Sequence, residues 1–193
     1  MSLSELTKAD AGYDRAYPWV VKSLRQSQLL ESWLRQLGTD GALPALDGFN
    51  ALRSYREQDE LTIYNVVADN ETWRYMIANE SAAFRSLFHQ SRKGRFLDET
   101  VSATAWRTLR VSLNECVRQA LPVYTVSSIE DDDGEKVMYE RLLLPFGSGG
   151  SAVTSIATSL KRTSWDGSSD PKPVARSNGH HLEYSFRAVI ALD

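Results

Sequence analysis

One stretch decides the fold of this chain: Val137-Met138-Tyr139-Glu140-Arg141-Leu142-Leu143-Leu144-Pro145. Val, Met, Tyr and three leucines make it a near-continuous apolar run, too short to cross a membrane. Turn sequences bound it on both sides: Asp133-Gly134 lies upstream and Gly147-Ser148-Gly149-Gly150 downstream. The pattern therefore predicts a buried central β-strand.

The regions on either side of these turns are also strand-like. Residues 123–129 and 152–160 are rich in apolar and β-branched side chains. Three consecutive strands joined by short polar turns predict an antiparallel meander. A strand in the middle of a meander has neighbours at both edges, which allows it to be apolar on both faces.

The rest of the chain adds helices and further strands in a mixed order. The predicted elements before the meander are a helix over residues 23–37, a short helical piece over 51–58, strands over 61–67 and 72–77, and helices over 81–89 and 103–121. After the meander, residues 163–173 have the composition of a linker, and residues 184–190 predict a last strand. Strands divided around helices indicate an α+β domain with a mostly antiparallel sheet.

Composition limits the classes of protein to which the chain could belong. Its 193 residues suffice for one domain with a real core, and 42% hydrophobic with 24% charged residues argues against wholesale disorder. The formal net charge of −3 argues against a general nucleic-acid binder. A single cysteine, the lack of a signal-peptide core and the lack of a membrane-length apolar run predict a cytoplasmic protein without a membrane partner.

Several motifs of the chain resemble those of a small bacterial PAS-domain family, found mainly in alphaproteobacteria. The run Tyr139-Glu140-Arg141-Leu142-Leu143-Leu144-Pro145-Phe146 is similar to that family's tyrosine-x-arginine-leucine-leucine-leucine-proline pattern. Residues 93–99 resemble its glycine-arginine loop, residues 74–77 its second strand and Leu43-Pro44 its entry motif. Residues 78–80 lack the glycine that usually follows the second strand in the family. The resemblance covers roughly residues 30–161.

The resemblance implies a PAS-like five-stranded antiparallel sheet with helices over one face, enclosing a pocket. We divide the chain into an N-terminal arm and amphipathic helix (1–42), a PAS-like core (43–162), a flexible linker (163–181) and a terminal strand (182–193). The function implied is a non-catalytic sensory or regulatory module for signal transduction, which binds a small ligand, a partner protein or both. The alternatives are a ligand-free protein–protein interaction adaptor and a small α+β enzyme such as an isomerase.

Alternation along the central strand selects the candidate ligand-binding residues. Tyr139, Arg141 and Leu143 fall on one face of the strand. A buried arginine needs an anionic partner, so Arg141 is predicted to bind the carboxylate or phosphate of a small acidic ligand. Tyr75 and Trp106 are the predicted apolar walls. The alternative is structural: Arg141 pairs with an internal acid such as Asp98 or Glu99 and joins helix to sheet.

An apolar stripe on the first helix suggests an assembly. Leu30, Trp33, Leu34 and Leu37 recur at helical spacing, with Tyr17 and Trp19 nearby in the sequence. We expect a homodimer that uses this helix; the alternative is a helix that covers its own sheet. The terminal strand around Phe186 is expected to pair with a sheet edge, its own or a neighbour's.

The remaining reactive side chains suggest no catalytic or metal site. His89 could ligate haem but is better explained as a surface residue, and the adjacent His180-His181 are poorly placed to share one ion. Cys116 is predicted to be a buried small hydrophobe, and the basic cluster of Arg85, Arg92, Lys93 and Arg95 a solvated loop. No acid–base arrangement stands out, and no particular cofactor is indicated.

Overall fold

The fold is taken from a computed structural model. It describes residues 12–49, 61–70, 72–82, 84–85, 90–130, 136–164 and 183–191. The predicted short helix over 51–58, most of the linker, and all three histidines lie outside the described residues. Most of the predicted helix over 81–89 lies outside them as well, although Ser81 Oγ accepts a hydrogen bond from the Phe84 amide at 3.1 Å, as an N-cap residue does.

The described part of the chain forms two α-helices and seven β-strands. The helices are α1 (Leu24–Leu34) and α2 (Ala103–Gln119). The strands are β1 (Asp14–Ala16), β2 (Leu61–Asp69), β3 (Thr72–Asn79), β4 (Val123–Glu130), β5 (Lys136–Phe146), β6 (Ser155–Ser164) and β7 (Glu183–Ile190). Short 3-10 turns lie at Pro18–Val20, Leu46–Gly48 and Leu97–Glu99. The fold is therefore α+β.

All seven strands belong to one sheet, in the spatial order β1-β7-β4-β5-β6-β2-β3. The predicted meander is present, because β4, β5 and β6 pair as antiparallel neighbours in chain order. The quoted stretch lies within β5, between β4 and β6, as its apolarity on both faces predicts. The strand β2 pairs antiparallel with both β6 and β3.

Two strands extend the sheet beyond the five that the sequence predicted for its core. The predicted terminal strand is β7, which pairs antiparallel with β4 of its own sheet. The strand β1 was not predicted, because three residues in a mixed segment carry no alternation signal; it pairs parallel with β7 and makes the sheet mixed. Another difference is that β6 runs to Ser164, into residues assigned to the linker.

Each face of the sheet carries its own apolar cluster and its own helix. Leu142, Leu144 and Phe146 of β5 pack in the cluster that contains Leu29, Leu30 and Trp33 of α1. Leu143 of the same strand packs in the cluster that contains Leu113 and Cys116 of α2. Since successive side chains of a strand point to opposite faces, the sheet lies between the two helices. The molecule thus has three layers: α1, sheet and α2.

Two polar side chains of α1 anchor the helix to the sheet. Gln26 Nε2 donates to the carbonyls of Glu140 and Ser159, at 3.0 and 3.1 Å. Trp33 Nε1 donates to the Pro145 carbonyl at 2.6 Å. These bonds attach α1 to particular carbonyls of β5 and β6, so hydrogen bonds as well as apolar contacts set its position.

The stripe predicted as a dimer interface lies mainly inside the protomer. Leu30 and Trp33 are 1% and 0% exposed, and Leu34 and Leu37 are partly buried against the same cluster. Leu30 and Trp33 therefore present no surface to a second chain. The arrangement matches the alternative, in which α1 covers its own sheet because the apolar side chains of β5 face it.

The helix α2 begins and ends where the sequence predicts, within two residues. Ser102 caps it by accepting a hydrogen bond from the Ala105 amide at 3.2 Å. Ala120 then adopts the left-handed conformation (φ 53°), and Pro122 follows at the start of the next connection. No helix among the described segments is long and apolar enough to cross a membrane.

The glycine-arginine loop docks on the edge of β3. The Gly94 amide donates to the Ile77 carbonyl at 2.8 Å, and the Ile77 amide donates to the Arg95 carbonyl at 2.9 Å. Gly94 has a φ of +82°, a conformation that glycine adopts without steric cost. The loop thereby covers the edge strand and places Leu97 in the α2-side cluster.

Candidate ligand-binding site

A small cavity lies between α2 and the sheet, on the face that carries Leu143. Its volume is about 10 Å³. Strands β2, β5 and β6, the turn at Leu97 and helix α2 all contribute to its walls. The lining residues are Tyr64, Leu97, Leu109, Ser112, Leu113, Arg141, Leu143 and Thr158. Described residues of the lining thus combine four leucines with one cation and three hydroxyl groups.

Two of the five predicted ligand-binding residues line this cavity, Arg141 and Leu143. Tyr139 precedes them on the same face of β5, and its ring lies 6.0 Å from the guanidinium carbon of Arg162. Tyr75 and Trp106 contact each other edge to face in the apolar cluster around the cavity, with ring centroids 6.2 Å apart. They belong to the surroundings of the cavity and are not part of its lining.

Among the described residues of the lining, Arg141 is the only charged one, and no acid lies beside it there. The side chain is half-buried. Its Nη1 atom is buried and has no hydrogen-bond partner within the described part of the chain. A buried donor on a cation without a partner is unfavourable, so this nitrogen marks a place where a further group is needed.

The two acids named as possible internal partners of Arg141 bind another arginine. Arg74 Nη2 lies 3.0 Å from Asp98 Oδ2 and 2.7 Å from Glu99 Oε1, and the Arg74 guanidinium carbon lies 3.8 Å from the centre of the Phe96 ring. These contacts raise the pKa of Arg74 through its hydrogen bonds to Asp98 and then to Glu99. Arg74, and not Arg141, therefore links the glycine-arginine loop to the sheet.

Hydroxyl groups surround Arg141 on neighbouring elements. Thr158 is 7% exposed, and its Oγ1 has no hydrogen-bond partner among the described residues. Ser112 Oγ accepts a hydrogen bond of 2.7 Å from the Tyr13 hydroxyl, which leaves the hydrogen of Ser112 free to be donated elsewhere. Thr125, paired with Arg141 across β4 and β5, also has an unsatisfied Oγ1.

The tyrosine that lines the cavity remains a neutral phenol at physiological pH. Burial raises the pKa of Tyr64 to about 12, although the positive charge of Arg141 acts to lower it. Tyr64 therefore cannot supply a negative charge to Arg141. Burial raises the pKa of Tyr75 as well, and the Tyr75 hydroxyl donates to Asn114 Oδ1 of α2 at 2.7 Å.

Sequence reasoning missed the hydroxyl-bearing residues of this site, Tyr64, Ser112 and Thr158. Each is an ordinary residue of a strand or helix by sequence. The register between strands places the two strand residues at the cavity, because Leu143 lies opposite Thr158 and Tyr64 lies opposite Ile156. Alternation within each strand was visible in the sequence, but the offsets between strands were not, so the neighbours of Arg141 could not be named.

The other candidate groups do not form a site in the described segments. No group of three or more His, Cys, Asp or Glu side chains there could hold a metal ion. Cys116 is fully buried, as predicted, and burial raises the pKa of its thiol. In the basic loop, the Glu80 carboxylate accepts hydrogen bonds from the Ser91 hydroxyl and the Arg92 amide, which places an acid among the predicted cations.

Comparison with known proteins gives no match: neither a protein-family model, a curated protein nor a solved structure resembles the chain significantly.

Proposed function

We propose that this protein is a non-catalytic, PAS-type sensory or regulatory module that binds a small anionic ligand at Arg141. Ligand binding between α2 and the sheet changes the contacts that the module makes with a signalling partner in the cytoplasm. The order of the elements supports the proposal: β2 and β3 precede α2, and β4 to β6 follow it in one antiparallel region of the sheet. The motif residues around Arg141 lie in the central strand of that region.

The unsatisfied Nη1 of Arg141 is the observation that carries the proposal. The described residues of its cavity include no carboxylate, and Asp98 and Glu99, named as possible internal partners, bind Arg74 instead. A guanidinium binds carboxylates and phosphates through charge-assisted hydrogen bonds. An external anion is the simplest partner for the Nη1 donor, which no described residue satisfies.

Replacement of Arg141 by methionine tests the ligand-binding role. We expect an Arg141→Met protein that folds but no longer gains thermal stability from small acids, inorganic phosphate and halides, tested singly in a thermal-shift assay. Arg15→Met is the matched control, because it removes the same charge from an exposed position of β1. If none of these anions stabilises the wild type more than the Arg141→Met variant, the proposed ligand-binding function is wrong.

The second candidate function is a ligand-free interaction adaptor. The volume of about 10 Å³ favours it, because the protein's own side chains fill the space that a metabolite would need. Native mass spectrometry of the protein as purified separates the two functions: a bound small molecule or ion supports the sensor, whereas the bare mass supports the adaptor.

We also propose that the module forms a homodimer, through aromatic residues that precede α1. Tyr17 and Trp19 stack with ring centroids 4.3 Å apart yet are 44% and 68% exposed, and Leu24 at the start of α1 is 75% exposed. Large exposed apolar side chains that are close in the sequence are typical of interaction surfaces.

Solution mass measured by light scattering tests this assembly. We expect a dimer for the wild type and a monomer for the double variant Trp19→Ser/Leu24→Asp, which changes exposed side chains only. Val67→Ser is the control, because Val67 is also exposed, at 37%, but lies on β2. A monomeric wild type, or a double variant that stays dimeric, would contradict the proposed interface.

A further inference from the structure

The cavity beside Arg141 has the size of a single small sphere. A site of about 10 Å³ is close to the smallest volume that holds one water molecule. A carboxylate or a phosphate group has several heavy atoms and would require the walls to move. The lining residues are tightly packed, since Leu97, Leu143 and Ser112 are each no more than 1% exposed. A single monatomic ion requires far less movement of the walls than either of these groups does.

We propose that this cavity binds a single halide ion, with chloride the physiological occupant, held by hydrogen bonds from Arg141, Thr158 and Ser112. The inference rests on the proposed function in placing the ligand at Arg141, and it specifies the class of ligand. The site is composed of the Arg141 Nη1 donor and of hydroxyl donors from two further elements, β6 and α2.

The donors of the site favour an anion over a neutral occupant. Thr158 Oγ1 has no hydrogen-bond partner among the residues that the structure describes, so its hydrogen is available. Ser112 already accepts from Tyr13, and its own hydrogen is therefore left for the cavity. Tyr64 contributes a third hydroxyl to the lining. An ion that only accepts hydrogen bonds matches such a set of donors.

Charge separates a halide from a water molecule, which is the smaller of the two possible occupants. A water molecule satisfies the Nη1 donor of Arg141 but brings no negative charge to the half-buried guanidinium. The nearby acid on β5, Glu140, belongs to the opposite face of the sheet, where it accepts a hydrogen bond of 2.9 Å from Tyr124. A bound anion neutralises the charge and satisfies the donor together.

Bromide provides the direct structural test. Crystals of the full-length protein grown with sodium bromide in place of chloride are expected to show an anomalous-scattering peak in the cavity, within hydrogen-bonding reach of Arg141 Nη1 and Thr158 Oγ1. A cavity that contains a water molecule or nothing, in crystals whose surface sites hold bromide, would overturn the proposal.

A thermal titration tests the same site in solution. Chloride or bromide is added in place of gluconate, so that the ionic strength stays constant. The melting temperature of the wild type is expected to rise with the halide concentration and to reach a plateau. Arg141→Met should abolish the saturable part, and Thr158→Val, which keeps the side-chain shape, should weaken the apparent affinity by about tenfold. Arg15→Met should respond as the wild type does.

The outcomes separate this inference from the function on which it rests. If Arg141→Met does not fold, the comparison of Thr158→Val with the wild type decides the matter. A halide response that is equal in the wild type and in the site variants is a general salt effect and overturns the inference. If a small organic acid stabilises the wild type through Arg141 and halides do not, the halide site is wrong and the sensory function stands.

Discussion

At the scale of single residues, the surroundings of a side chain decide whether it can bind or react. Cys116 and Arg141 are both on the α2 side of the sheet, but their environments differ. Cys116 is enclosed by apolar side chains and fully buried. Arg141 is half-buried, faces a cavity and retains an unsatisfied donor. Residue type alone would mark both as candidates, whereas environment leaves only Arg141.

The thiol of Cys116 is expected to be unreactive in the folded protein. Burial raises the pKa of the thiol, so very little thiolate exists at pH 8. Burial also keeps a thiol reagent in solution away from the sulfur atom. Ellman's reagent should therefore react at least about 100-fold more slowly with the native protein than with the urea-unfolded protein. The chain has a single cysteine, so the signal has one source. Complete native reaction within the mixing time would show that α2 does not shield this position.

At the scale of elements, α1 is a structural layer of the protomer. Its residues Leu29, Leu30 and Trp33 cover the apolar face of β5, and its side chains donate to strand carbonyls. Deletion of the helix would uncover the sheet and unfold the protein, so it would not report on assembly. Single substitutions that change one contact of α1 are more informative.

Trp33→Phe is expected to destabilise the protein by about 1–3 kcal/mol. The change keeps an aromatic ring but removes the Nε1–H that bonds the buried Pro145 carbonyl at 2.6 Å, and it leaves a small void at a position that is 0% exposed. Trp73→Phe is the matched control, because Trp73 is only half-buried and lies on β3. Urea denaturation measures both changes, and equal stability of the two variants would mean that the anchor of α1 contributes nothing.

At the scale of the whole molecule, the sequence predicted the strands of the meander but not the extent of the sheet. Strong local signals predicted β5 and its two neighbours: apolar runs bounded by Gly and Asp-Gly turns. The strand β1 escaped prediction because its three residues pair with β7, some 170 positions away in the chain. The same limit applies to the site, where Arg141 was visible but Thr158 and Ser112 depend on register and helix placement.

The position of β7 in the sheet has a consequence for how the protein is made. β7 is late in the chain, yet it pairs on one side with β4 and on the other with β1. During synthesis, residues 14–16 and 123–130 leave the ribosome long before their shared partner does. Until residues 183–190 emerge, the nascent chain exposes an unpaired edge of β4, which another growing chain could occupy. The speed at which residues 131–190 are translated therefore sets how long this edge stays open.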